Sequence, residues 1–274
     1  MAPNNQSILV IGGAGYIGSH VVLELCEHGY DVTVFDNLST GHEKNIDSRA
    51  KFAQGDILNH NDLNKIFKQH YSAVFHFAAL KAAEESMLEP GKYSKTNITG
   101  TINILNQMVD NKVQNFIFSS TAAVYGMPQY LPLDENHPLK PINFYGFTKL
   151  EIERILQWYS ELKGICFGVL RYFNAAGYDT QGRIQGLEKN PANLLPIIME
   201  TVSGKRNSMD VYGNDYNTPD GTGIRDYIHV NDLAMAHIKA LNTIIEQKNN
   251  LILNLATGKG YSVLEVIQNT IEIT

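Results

Sequence analysis

Cysteine is scarce in this chain. Cys26 and Cys166 are the two cysteines among 274 residues, too few for a disulfide framework. They read as buried free thiols, and a reducing, cytoplasmic setting is expected. Long apolar runs are missing too. None approaches the roughly 20 residues that a membrane-spanning helix requires, so no membrane partner is expected. The opening MAPNNQSILV lacks a basic region followed by a long apolar one, so no signal peptide is expected. Basic charge is in deficit: Lys and Arg total 22 against 28 Asp and Glu, a net charge of −6. That balance argues against nucleic acid or an anionic membrane as the main partner. The histidines form no His-Glu-x-x-His pair and the cysteines no pair, so no metal is expected. His76, inside an apolar run, and His229, inside a tight motif, read as structural. Repeats and low-complexity tracts are also absent.

What is present is alternation. SILVIGG (7–13), DVTVFDN (31–37), KFAQGDI (51–57), AVFHFAA (73–79), NFIFSS (115–120), ICFGVLRYF (165–173) and LILNLATG (251–258) read as strands. Segments of helical period separate most of them: 20–30, 61–70, 96–111 and 147–164. Most of the strands are apolar on both faces, the mark of a parallel sheet covered on both sides. The fold expected is α/β, a doubly wound parallel sheet of Rossmann type. After Asn174 the texture turns rich in Gly, Asn, Asp and Pro. Residues 1–174 are therefore expected to form a dinucleotide-binding domain. Residues 175–274 are expected to form a smaller, loop-rich substrate region without a second regular sheet, some of its segments returning to the main sheet.

GGAGYIG (12–18) lies between the first strand and the first helix, with Gly12, Gly15 and Gly18 spaced three apart. Glycines there let the backbone turn tightly and approach a pyrophosphate at the positive end of a helix. Asp36 closes the second strand about 20 residues on, where a carboxylate can accept bonds from both ribose hydroxyls. The same carboxylate repels a 2′-phosphate, so NAD is expected over NADP. Asp56 closes the third strand and suits an adenine amino group or, equally, plain solvation. Phe77, Ala78 and Ala79 end the fourth strand with mostly small residues, which would let a cofactor lie close.

Ligands of open α/β sheets sit beyond the carboxyl ends of the strands. SSTAAVYG (119–126) puts Ser119, Ser120 and Thr121 at such an end. Tyr145 and Lys149 sit one helical turn apart where the next helix begins. Tyr159 and Lys163 repeat that spacing. They lie fourteen residues on, about 21 Å along the axis, toward the wrong edge of the sheet. Tyr145–Lys149 is the expected catalytic pair, with Thr121 binding the reacting oxygen. A free phenol, with a pKa near 10, is a poor base at neutral pH; the Lys149 ammonium is expected to lower it.

GGAGYIG, FDN, GDI, FAALKAAEES, SSTAAVYG, YGFTK, RYFNAAG, ANLLP and GTGIRDYIHVNDLA follow one another in order. With them the chain resembles the extended short-chain dehydrogenase/reductase family, in its branch of UDP-hexose 4-epimerases. The resemblance covers nearly every residue. It implies a tightly held NAD and inversion of C4 of a UDP-hexose through a transient 4-keto sugar, with Tyr145 as acid and base. It implies cofactor contacts at Tyr16, Ile17, Asp36, Asn37, Asp56, Ile57, Phe77, Ala78, Lys81, Asn97, Tyr145, Lys149 and Phe173. It also implies nucleotide-sugar contacts at Thr121, Asn174, Asn193, Leu194, Tyr212 and Arg225. Arg225 suits a diphosphate by its fork, although an ion pair with Asp226 would also explain it. A homodimer through the helices at 96–111 and 147–164 is implied as well. So is a further segment beyond Thr274, carrying a second diphosphate-binding arginine and part of the sugar pocket.

Two departures from the family pattern are small: Thr121 stands where many relatives have Ser, and Ile11 where Thr often precedes the glycines. Related dehydratases place Asp-Glu after the active hydroxyl, and related decarboxylases a Glu at the second position. Here those positions are Ala122 and Ala123, which disfavours both. Another NAD-dependent nucleotide-sugar dehydrogenase or reductase, or an inactive NAD-binding protein, stays as the alternative.

Overall fold

The computed structural model describes residues 6–184 and 193–274. Seven strands form one parallel sheet: β1 (Ser7–Ile11), β2 (Asp31–Asp36), β3 (Lys51–Gln54), β4 (Ala73–His76), β5 (Asn115–Thr121), β6 (Cys166–Tyr172) and β9 (Leu251–Leu255). Their spatial order is β3-β2-β1-β4-β5-β6-β9. The chain winds outward from β1 to β3, returns to β4, and winds outward again on the other side. The switch between β1 and β4 opens a crevice at the carboxyl ends of those two strands, where such folds bind their ligands.

Alternation along β1 shows why the sheet is covered twice. Ile8 and Val10 enter one core, with Val21, Val22, Leu25, Leu233 and Leu241. Leu9 and Ile11 enter the other, with Ile104, Leu105, Ile152 and Leu156. Successive side chains of a strand point to opposite faces, so a run apolar at every position needs helices on both sides. Each such side chain, fully buried, contributes about 1.5–3 kcal/mol. The first face carries α1 (Tyr16–Glu27) and α8 (Val230–Gln247). The second carries α2 (His60–Ile66), α5 (Gly100–Asp110) and α6 (Phe144–Lys163).

Several elements differ from the sequence expectation. The first helix starts at Tyr16, directly after the glycine turn, four residues earlier than its apolar period suggests. Of the helix expected over 96–111, the beginning is π-helical over Ser94–Thr99 before α5 takes over. Two short helices, α3 (Ala83–Leu88) and α4 (Pro90–Tyr93), lie between β4 and that turn. In the second half, α8 spans 18 residues. Its buried positions 230, 233, 234, 237, 238, 240, 241 and 244 recur at helical spacing.

A small second sheet forms where loops around short elements, and no second regular sheet, were expected: β10 (Gly260–Ser262), β8 (Ile224–His229) and β7 (Asn174–Ala176), in that order. IRDYIH carries too few apolar residues to read as a strand. The backbone pairing comes from its neighbours. Asp226 ties the sheet to the following loop, its carboxylate accepting the N–H of Thr257 at 2.9 Å and of Gly258 at 2.7 Å. Two further helices, α7 (Leu194–Val202) and α9 (Val263–Ile273), pack on each other. Among the described residues no helix is long and apolar enough to cross a membrane, and no cluster of metal-ligating side chains occurs.

Candidate active site

The glycine turn is built by close contact. Gly12 has φ +81°, and a Cβ there would lie 2.4 Å from the Ala78 nitrogen. A Cβ on Gly18 would lie 2.3 Å from the Gly12 carbonyl oxygen. Gly12 therefore lets the turn nest against the end of β4, and Gly18 lets α1 start tight against the turn. Gly15 is different. It is the N-cap of α1 and has room on its Cα, so the helix N-terminus stays open toward the crevice. Unpaired N–H groups at a helix start favour an anionic group there. Tyr16 is held over the same edge, its hydroxyl donating to the Gly177 carbonyl at 2.5 Å. Ile17 packs on the core beside it.

At the end of β2, Asp36 is locked in orientation. One carboxylate oxygen accepts the Ala14 N–H at 3.0 Å and the other the Leu38 N–H at 2.8 Å. Asn37 donates to Asp56 at 3.0 Å, joining the ends of β2 and β3. Phe77 and Ala78 follow β4, their N–H groups directed to the Ile11 carbonyl. Two of the expected cofactor residues also make contacts within the protein. Ile57 buries its side chain against Gly100. Asn97 uses its amide on Leu80, accepting the N–H at 2.9 Å and donating to the carbonyl at 3.0 Å, and on Thr148 at 3.1 Å. The π-turn places Asn97 in this position, fixing the strand-end loop that carries Lys81.

Across the crevice, Asn143 caps α6 by accepting the Gly146 N–H at 2.8 Å. Tyr145 therefore stands in the first turn of the helix. Its backbone N–H donates to Ser86 Oγ at 3.0 Å. Its phenol lies near Thr121, whose hydroxyl accepts the Ala123 N–H at 3.1 Å. Lys149, one turn on, is buried. Its Nζ donates to the Ser119 carbonyl at 2.7 Å, 4.7 Å from the Phe118 ring centroid and 6.0 Å from that of Tyr145. The β4–β5 register ends at His76 and Phe118, so the Ser119 carbonyl lies one residue past the pairing and Lys149 takes it. Ser119 Oγ bonds the Tyr172 hydroxyl. Phe173 and Asn174 follow at the next strand end, Asn174 donating to the Asp226 carbonyl at 2.9 Å. Tyr159 lies apart, its hydroxyl on Asn106 at 2.6 Å near the sheet's other edge. The two identical spacings thus occupy different settings.

The acidity of the pair departs from the expectation. Burial pushes the Tyr145 phenol up to about 12, with the neighbouring Thr121 hydroxyl acting the other way. Burial pushes the Lys149 ammonium down to about 7, with the charge of Glu153 opposing. The protein alone does not lower the phenol, because its nearest cation is itself desolvated. His76 is buried against Thr101 at 2.9 Å and pushed down to about 3 by burial, and His229 caps α8. Both histidines are structural.

The remaining expected sugar contacts are spread over the second half. Arg225 is exposed, and its Nη1 donates to the neighbouring Ile224 carbonyl at 2.8 Å. The alternative ion pair with Asp226 is not formed, since that carboxylate holds Thr257 and Gly258. Asn193 and Leu194 open α7. Tyr212 is 84% exposed. Sequence reasoning missed Ser86, which holds the Tyr145 backbone, and the buried pair of Glu153 and Arg171, whose Nη2 and a carboxylate oxygen lie 2.6 Å apart. The available signal for the pair was an arginine inside an otherwise apolar strand.

A glycine turn at the switch point, a carboxylate at the end of β2 and a Tyr–Lys pair beside a threonine hydroxyl define a Rossmann-type, dinucleotide-dependent enzyme of alcohol or carbonyl chemistry. The profile of the NAD dependent epimerase/dehydratase family matches residues 8–256, and the chain belongs to that family. It is 44% identical over 270 residues to a UDP-glucose 4-epimerase of Lactobacillus helveticus, covering 98% of this chain and 82% of that one. A crystal structure of a UDP-glucose 4-epimerase superposes with a TM-score of 0.94 at 42% identity, over 97% of this chain and 82% of the other. The UDP-glucose 4-epimerase from Brucella ovis, solved in complex with NAD, superposes with a TM-score of 0.93 at 43% identity, over 96% of this chain and 81% of the other.

Proposed function

We propose that the protein is an NAD-dependent 4-epimerase of UDP-hexoses, interconverting UDP-glucose and UDP-galactose. The observation that carries this reading is the Tyr145 phenol beside Thr121, with the Lys149 Nζ 6.0 Å from its ring centroid and one turn behind, at the same sheet edge as the glycine turn. Identity above 40% to UDP-glucose 4-epimerases supports the substrate class.

The residues present fit NAD. The Gly12–Gly18 contact leaves α1's start open to a pyrophosphate, and Asp36, held by two backbone N–H groups, suits the adenosine ribose. NAD, held by these residues, would supply reversible hydride transfer at C4 and would bring a positively charged ring to the site. Tyr145 takes the proton of the sugar 4-hydroxyl and later gives it back. Lys149 steadies the phenolate, and Thr121 holds the reacting oxygen. The remaining strand-end residues, among them Asn37, Asp56, Phe77, Lys81 and Phe173, line the cofactor. Asn174, Asn193, Leu194, Tyr212 and Arg225 gather around the UDP-sugar, with Arg225 on the diphosphate. Residues 1–174, with α8 and β9, bind NAD, and the rest binds the sugar nucleotide. Two copies associate through α5 and α6, where Trp158 and Leu162 stay exposed, in the cytoplasm.

Incubation with UDP-galactose tests this. UDP-glucose should form without net NADH. Accumulating NADH would mark a dehydrogenase instead, and no product with NAD bound would mark a binding protein.

A further inference from the structure

Lys149 Nζ is buried, and among the described residues its one hydrogen-bond acceptor is the Ser119 carbonyl. One turn further along α6, Glu153 is equally buried. Residues four apart share a helix face, so the two lie one above the other. Glu153 accepts from Ser120 Oγ at 2.5 Å, directly beside the Ser119 carbonyl that holds Lys149. It also accepts from Arg171 Nε at 3.1 Å and Nη2 at 2.6 Å. Arg171 is anchored in turn, donating to the Tyr125 hydroxyl at 3.0 Å, which donates to Asn254 at 2.6 Å. Ser120, Arg171 and Asn254 are register partners on β5, β6 and β9. A row of polar groups therefore crosses three strands beneath the catalytic pair.

We propose that Glu153, braced by Arg171, is a positioning residue for Lys149: it fixes the register of α6 on β5 and serves as the counter-charge of the Lys149 ammonium. This rests on the reading of Tyr145 and Lys149 as the acid–base pair. A buried ion pair adds little to stability compared with packed apolar residues of the same volume, so stability alone does not account for it. Its placement does: Glu153 is the buried carboxylate one turn from Lys149 on the same face of α6, whereas Glu151, two residues on, pairs with Arg154 at the surface. The other groups facing the pair bring no rival negative charge. His76 on β4 is kept neutral by burial, and Tyr172 on β6 is pushed up and stays protonated. Tyr93 on α4 is pushed up by burial and by Glu85, which it bonds at 2.9 Å and which lies at the surface.

Glu153→Gln keeps the shape and an acceptor for Ser120 but removes the charge, leaving Arg171 as a second cation. Lys149 should then lose its proton at lower pH, and the Tyr145 phenol, with a negative charge gone and a cation left unpaired nearby, should also ionise at lower pH. The acid limb of kcat against pH should move down by on the order of one unit. Difference ultraviolet titration against the matching Tyr145→Phe protein should show the same downward move of the Tyr145 phenol, independently of turnover. If Glu153→Gln does not fold, Glu153→Gln/Arg171→Met removes both charges, and the limb should move the same way by less. An unmoved limb and unmoved phenol titration in the folded variant would overturn the proposal. Activity surviving Tyr145→Phe would instead overturn the reading beneath it.

Discussion

Ser86 Oγ accepts the backbone N–H of Tyr145 at 3.0 Å, and Ser86 is fully buried. A short helix after β4 thus satisfies one of the free donors at the start of α6. The residue it holds is the one whose phenol meets Thr121. Ser86→Ala should leave that N–H without a partner and cost about 1–3 kcal/mol. Urea unfolding should register the loss, and kcat should fall more than KM rises, because the phenol rather than a binding contact loosens.

Tyr145→Phe should lower turnover of UDP-galactose by at least about 10²–10⁴, the usual reach of general acid–base catalysis. NAD should stay bound, since the glycine turn and Asp36 are untouched. Tyr159→Phe, which loses its bond to Asn106, should keep nearly full activity. Steady-state kinetics on the two variants separates them; the reverse pattern would move the active site to the other pair.

Asp36→Ala should weaken NAD binding by about 10–100-fold, a loss of one or two hydrogen bonds to a charged group. It should also loosen the turn itself, because the carboxylate holds the Ala14 and Leu38 N–H groups. Calorimetric titration with NAD and thermal unfolding read the two effects apart.

Gly12→Ala should fail more severely than Gly15→Ala. A Cβ at Gly12 runs into the Ala78 backbone at 2.4 Å, and its φ of +81° strains any L side chain. At Gly15 the nearest atom would be 3.4 Å away. Thermal unfolding of the two proteins compares them.

Acid should destabilise the fold from about pH 6.5 downward. His76 and His237 are pushed down to about 3 and about 4, in both cases mainly by burial. Their folded pKa values lie below the unfolded value near 6.5, so the unfolded chain binds more protons as pH falls. The stability is therefore fully present above about 6.5 and is lost as pH drops toward the folded values. Each histidine contributes a slope of about 1.4 kcal/mol per pH unit in that window. Urea titrations between pH 7 and 5 should show the slope, and His237→Phe should remove one share of it.

The sequence by itself determined the sheet, the glycine turn and Asp36. Each is written locally: strands apolar on both faces, helices of longer period between them, and glycine at the positions that touch backbone. It also separated Tyr145 from Tyr159, because chain direction and helical rise place one at the carboxyl edge and the other about 21 Å away. It could not show β8 or the small sheet, since IRDYIH pairs through backbone supplied by segments far along the chain. Only the tertiary structure decided that Asn97 serves Leu80, that Ser86 holds Tyr145, and that Glu153 meets Arg171 beneath Lys149. The acidity of the pair was decided there as well. A one-turn spacing says that an ammonium is near a phenol, but burial sets how much charge either can carry, and burial is a property of everything packed around them.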